Sequence, residues 1–167
     1  MQNSFDLKKI TEVGQSWAHL LALPLEKFKN YLNEAAAIEG VKICGLHGES
    51  FPTERDFMEV LQKVFQLPGY FGKNWNAFEE CIHDLDWLPA KSYIIFITNT
   101  DRLFCKDTQA FDNFVDIMKE AAGDWMTSKE NHPYFPRPAI PFHVLFHAEP
   151  ENETIARERL KKIGVSL

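Results

Sequence analysis

Cysteine is scarce in this 167-residue chain: Cys44, Cys81 and Cys105 form no CxxC pair and no even set. Neither a disulfide framework nor a cysteine zinc site is written into that spacing. No apolar run approaches the ~18 residues of a membrane span. The opening MQNSFDLKKI carries no apolar h-region or small-residue cleavage site, so a cytoplasmic protein with reduced thiols is expected, with no membrane partner. Positive charge is in deficit, with 18 Lys and Arg against 24 Asp and Glu and a net charge of −6. That sign is wrong for gripping phosphate backbones, so direct nucleic-acid binding is not expected, whereas a basic protein would be attracted.

Recognisable catalytic motifs are missing as well. No phosphate loop, Ser-His-Asp order or Cys-His pairing is evident, so the chain reads as a non-enzyme with no cofactor. His143 and His147 share a face of one β-prone run, because strand side chains alternate. They lack the spacing of a zinc-binding helix, and polar strand ends are the expected reading. Repeats and low-complexity tracts are also lacking.

What remains is an ordinary globular composition, 25% charged and 45% hydrophobic, long enough to bury one sizeable core. Val41-Lys42-Ile43-Cys44-Gly45-Leu46-His47 reads as a strand between Gly40 and Gly48. Thr53 and Asp56 form a capping box ahead of Phe57, Val60, Leu61 and Val64 at helical spacing. Tyr93-Ile94-Ile95-Phe96-Ile97-Thr98 is continuously apolar, as a strand covered on both faces should be. Asp107 or Thr108 caps a helix with Phe111, Phe114, Val115, Met118 and Ala122 on one face, ending near Gly123. Residues 124–141 hold Pro133, Pro136, Pro138 and Pro141 and should form an irregular loop. Phe142-His143-Val144-Leu145-Phe146-His147 is the third strand. Alternating strands and helices predict an α/β fold with a small three-stranded parallel sheet packed with helices.

Helical additions are expected at both ends. Residues 1–39 should form an N-terminal helical appendage, with Leu7, Ile10, Val13 and Trp17 in one short helix. Pro24 would start another, with Leu25, Phe28, Leu32 and Ala35 on one face. Residues 149–167 should form a C-terminal helical tail, whose acids precede its bases as suits a helix dipole. The intervening domain spans 40–148.

The most informative stretch is LPGYFGKNWNAFEECIHDLDWL, residues 67–88. Pro68-Gly69 and Gly72 break any preceding helix, and Asn74 is a fitting N-cap. Phe78, Cys81, Ile82 and Leu85 recur on one helical face, with Cys81 acting as a small hydrophobe. Asn76 and Glu80 lie about 40° apart around the axis and project opposite that face, flanked by Glu79 and Asp84. Taken alone, such acids are most often a solvated helix face. With Tyr70 and Trp87 beside them, they make a surface suited to a positively charged partner.

Leu67-Pro68, Tyr70-Phe71-Gly72, Asn74-Trp75-Asn76-Ala77, then Glu79-Glu80, Cys81 and Asp84-Leu85-Asp86-Trp87-Leu88 resemble the signature of the barstar family of ribonuclease inhibitors. Two positions depart from it: Asn76 stands where the family usually has Asp, and Glu80 is longer than the Asp of its best-known member. The resemblance implies a barstar-like fold and an immunity protein that binds a basic ribonuclease. It also implies a partner-binding acid on the later helix, here Glu120. The partner-binding set is therefore Tyr70, Asn74, Asn76, Glu79, Glu80, Asp84, Trp87 and Glu120. Two other readings stay open: an acidic interaction module for a basic partner that is not a nuclease, and a small hydrolase using an acid pair such as Glu80 and Asp84.

Overall fold

The computed structural model of the protein describes residues 6–14, 16–48 and 53–167. Part of the opening segment read above, residues 1–5, therefore lies outside the described residues. The apolar, β-branched run forms β3 (Ser92–Thr98) and takes the interior of the sheet. β2 (Val41–His47) pairs with it in parallel on one side and β4 (Phe142–Ala148) on the other, so that Ile95 stands between Cys44 and Val144.

The sheet has a fourth strand that the sequence reading lacked. β1 (Ala18–Ala22) pairs in parallel with β4, giving the order β1-β4-β3-β2. Its sequence, AHLLA, contains no β-branched residue and reads as helical by propensity. Tertiary pairing with β4 overrides that preference. The short helix expected around Leu7 is a 3-10 turn, Leu7–Thr11, and Trp17 falls outside it. Behind Pro24, α1 (Leu25–Ala36) forms as expected and buries Phe28, Leu32 and Ala35.

Strand alternation sends side chains to two layers. Tyr93, Ile95, Ile97, Phe142, Val144 and Phe146 face the larger core, built with α2 (Glu54–Val64), α3 (Trp75–Asp84) and α4 (Thr108–Trp125). Ile94, Leu145 and Leu21 face a smaller layer with Phe28, Leu32 and Ile10. Gly45 lies opposite Phe96 in the register, and a Cβ there would collide with the Phe96 ring. The close strand approach therefore requires glycine.

Helix ends follow local chemistry. Thr53 Oγ1 accepts from the Asp56 amide at 3.3 Å and donates to the Asp56 carboxylate at 2.6 Å. Asp107 caps α4 by accepting from the Ala110 amide. α4 runs past Gly123 to Trp125, whose ring is buried and whose indole N–H donates to the Ile82 carbonyl at 2.8 Å. After the loop, a 3-10 turn (Pro150–Asn152) leads into α5 (Glu153–Lys162). Arg159 ties α5 to the end of β3 by donating to the carbonyls of Thr100, Asp101 and Leu103.

His143 and His147 are not polar strand ends; they are 1% and 0% exposed. His143 Nε2–H donates to the Glu12 carbonyl at 3.0 Å, which leaves Nδ1 to accept from His19 Nε2–H at 3.1 Å. His147 Nε2–H donates to the Leu23 carbonyl at 2.9 Å, and its Nδ1 faces the Asn99 amide. The segment before α1 is thus fastened to β4 through buried imidazoles. No group of three or more metal-binding side chains occurs among the described residues.

Candidate partner-binding face

α3 is held from several directions before it presents anything. Asn74 Oδ1 accepts from the Ala77 amide at 2.9 Å, and Asn74 Nδ2 donates to the Gly72 carbonyl at 3.2 Å. Asn74 is therefore committed to building the helix start. Lys73 enters at φ 51° and Leu85 leaves at φ 48°, both in the left-handed region that costs a side-chain-bearing residue energy. Burying the Leu85 side chain offsets that cost. Phe78, Cys81 and Ile82 fill the core side, with Phe78 against Phe65 and stacked on Phe114. Trp125 grips the Ile82 carbonyl, and the Trp87 indole N–H donates to the Phe65 carbonyl at 3.0 Å. Trp75 packs on Phe57 and Phe104, which makes it part of the helix's footing.

On the outward side, Asn76, Glu80 and Asp84 are exposed, each one helical turn from the next, and Glu79 is half-buried. The turn before the helix places Tyr70 at 77% exposure. Trp87 is half-buried. Glu120 is exposed on α4, one turn before Asp124. Asp124 lines the same cleft as Glu80 and Asp84, so the acidic stripe of α4 runs beside that of α3.

Among the described residues, none of Glu79, Glu80, Asp84, Asp86 or Glu120 has an ion-pair partner. Two cations that line the cleft beside this face, Lys129 and Arg137, both bind Asp124. Burial and then the adjacent Asp86 charge hold Asp84 above the usual carboxylate range. Asp84 also sits at the C-terminal end of α3, where a negative charge meets the negative pole of the helix. The face is negative and held firmly, and no ion pair among the described residues compensates these five acids.

The sequence reading did not find the cleft beside this face. It is an open hollow of about 610 Å³ between the C-terminal end of α3 and the loop after α4. Asp86 and His83 line it from one side, and Phe135 and His132 from the other. The only sequence signal was the Tyr134-Phe135 pair inside a proline-punctuated loop.

The site is thus an acidic stripe on a pinned helix, carried by a parallel α/β layer. The sequence model of one family, Barstar (barnase inhibitor), matches residues 41–146, and the chain belongs to the barstar family. The matched span holds β2, β3, most of β4 and the helices between them; β1, α1 and α5 lie outside it. Comparison with the curated proteins finds no match. No helix among the described residues is long and apolar enough to cross a membrane.

Proposed function

We propose that this protein is a cytoplasmic inhibitor of a basic ribonuclease, acting as an immunity protein by covering the enzyme's active site with α3. The observation that supports this most is the uncompensated stripe of Asn76, Glu80 and Asp84 on a helix whose core side and both ends are pinned. A ribonuclease site is cationic because it binds phosphate and stabilises charge in the transition state. A carboxylate in a phosphate position pairs with arginine or lysine there through charge-assisted hydrogen bonds. Because α3 is already ordered, little conformational entropy is lost on binding.

Within this reading, Glu80 is the central contact, Asn76 adjusts specificity, and Tyr70, Glu79, Asp84, Trp87 and Glu120 complete the face. Asn74 contributes by fixing the helix start. The test is co-purification of the protein with ribonucleases of its own source, followed by assay of their activity. Stoichiometric capture and suppression of a basic ribonuclease is the expected result. Absence of inhibition across the source's ribonucleases and a broad bacterial panel overturns the reading.

A further inference from the structure

The cleft between α3 and the loop after α4 has an apolar floor and an acidic rim. Leu85, Tyr93, Trp125 and Ile140 line its depth, while Glu80, Asp84 and Asp86 stand around it. The loop holds two large aromatics out in water, Tyr134 at 80% and Phe135 at 73% exposure. His132 supports them from beneath, its Nδ1 accepting from the amides of Tyr134 and Phe135 at 3.3 and 3.0 Å. An ordered loop that keeps aromatic rings exposed beside an apolar hollow is a surface awaiting a partner.

Charge decides which partner. Every basic group lining the hollow is engaged. Lys129 binds Asp124, and Arg137 binds Asp124 as well as the Trp125 carbonyl, with its guanidinium 4.3 Å from the Trp125 ring. His83 Nδ1–H donates to the Glu79 carbonyl. Glu80, Asp84 and Asp86 have no ion-pair partner among the described residues, and all three line the cleft. Bidentate carboxylate pairing combined with flat aromatic surfaces is what a guanidinium satisfies and an ammonium satisfies less well.

We propose that this cleft is a second recognition element, which receives an arginine side chain of the partner between Asp84 and Asp86 on one wall and Phe135 on the other. The proposal deepens the ribonuclease-inhibitor reading and rests on it for the partner's identity. The guanidinium chemistry of the cleft stands independently. α3 alone would then supply only half of the contact, and the proline-rich loop would clamp the partner from the side.

The experiment has two arms on the full chain. In the first, the protein is titrated with N-acetyl-argininamide, its citrulline analogue and N-acetyl-lysinamide, and backbone and indole NMR shifts are followed. Saturable shifts confined to residues of the cleft are expected with the arginine probe, weaker ones with lysine and none with citrulline. The D84N/D86N double variant should lose about tenfold or more in arginine affinity. F135S should weaken it too, while E34Q, at an exposed position of α1 on the opposite face of the sheet, leaves it unchanged. Absence of saturable arginine shifts, or equal response to citrulline, overturns the proposal whatever the nuclease results are.

In the second arm, the captured ribonuclease is tested against F135S and D84N/D86N, both at exposed positions where the fold should be retained. About tenfold or greater loss of affinity is expected for each. Undiminished nuclease binding by both variants overturns the cleft's role as a second contact while leaving the α3 reading in place. Arginine binding in a protein that inhibits no ribonuclease overturns the functional reading and keeps the cleft.

Discussion

On one side of the sheet Phe57, Phe104 and Phe114 meet edge to face at 4.7–5.0 Å, and Phe78 stacks on Phe114. On the other side, His19 and His143 bond to each other, His143 also holds the Glu12 carbonyl, and His147 holds the Leu23 carbonyl. The first layer is packed largely with aromatic rings and carries the acidic helix on its outer surface. The second is smaller and joins the β1 segment to the sheet with polar bonds, among them the His19 contact, which needs a neutral His143 ring to accept it. The imidazole side ties its integrity to proton concentration.

That contrast predicts where each kind of damage will act. Ile82→Ala opens a cavity beneath α3 and should cost ~2–5 kcal/mol of stability. Nuclease affinity should stay nearly intact wherever the variant is folded, because the outer stripe is untouched. Denaturant melts and binding isotherms check both halves. His143→Leu should cost ~1–3 kcal/mol, since it removes a buried imidazole that bonds the Glu12 carbonyl and the His19 ring. Its effect should be local. Amide exchange should accelerate in β1 and hardly at all in α3, and equal acceleration in both would erase the distinction between the layers.

Acid should find the same seam. Burial lowers all three histidines, His19 to about 4 with a further contribution from His143. A lowered folded pKa means the unfolded chain binds more protons, so the stabilisation is complete above the ordinary value near 6.5. It falls as pH drops from there toward 4. Protonation of His143 Nδ1 would set two donors against each other at the His19 contact. Denaturant midpoints that stay flat between pH 6.5 and 4, or histidines titrating at their free values, would contradict this. A smaller effect belongs to Trp87→Phe, which deletes one hydrogen bond to the Phe65 carbonyl and should cost ~1 kcal/mol.

The legibility of the chain divides along the same line. The aromatic side could be read residue by residue: helical periodicity at Phe78, Cys81, Ile82 and Leu85, caps at Thr53, Asn74 and Asp107, and a two-sided strand at 93–98. Those signals are local, and the structure keeps them. β1 was not legible, because Ala18, Leu20 and Leu21 favour a helix until β4 offers them a hydrogen-bonding edge. The buried histidines were not legible either. Their partners are backbone carbonyls more than a hundred residues away. At the candidate site, the outward direction of Asn76 and Glu80 followed from spacing alone, with Asp84 beside them. The cleft did not, because it depends on where a proline-rich loop returns across the end of α3.

Glu80→Ala tests the account at its centre. Glu80 is exposed and has no ion-pair partner among the described residues, so its removal should change folding stability by no more than ~0.5 kcal/mol. In the complex its carboxylate would neutralise cations of the nuclease, and its loss should weaken binding by ~2–5 kcal/mol, mostly by leaving those cations unpaired. Measured side by side by denaturant melt and nuclease titration, an unchanged midpoint with that loss of affinity is the predicted outcome. Affinity equal to the parent's would show that α3 does not cover the active site.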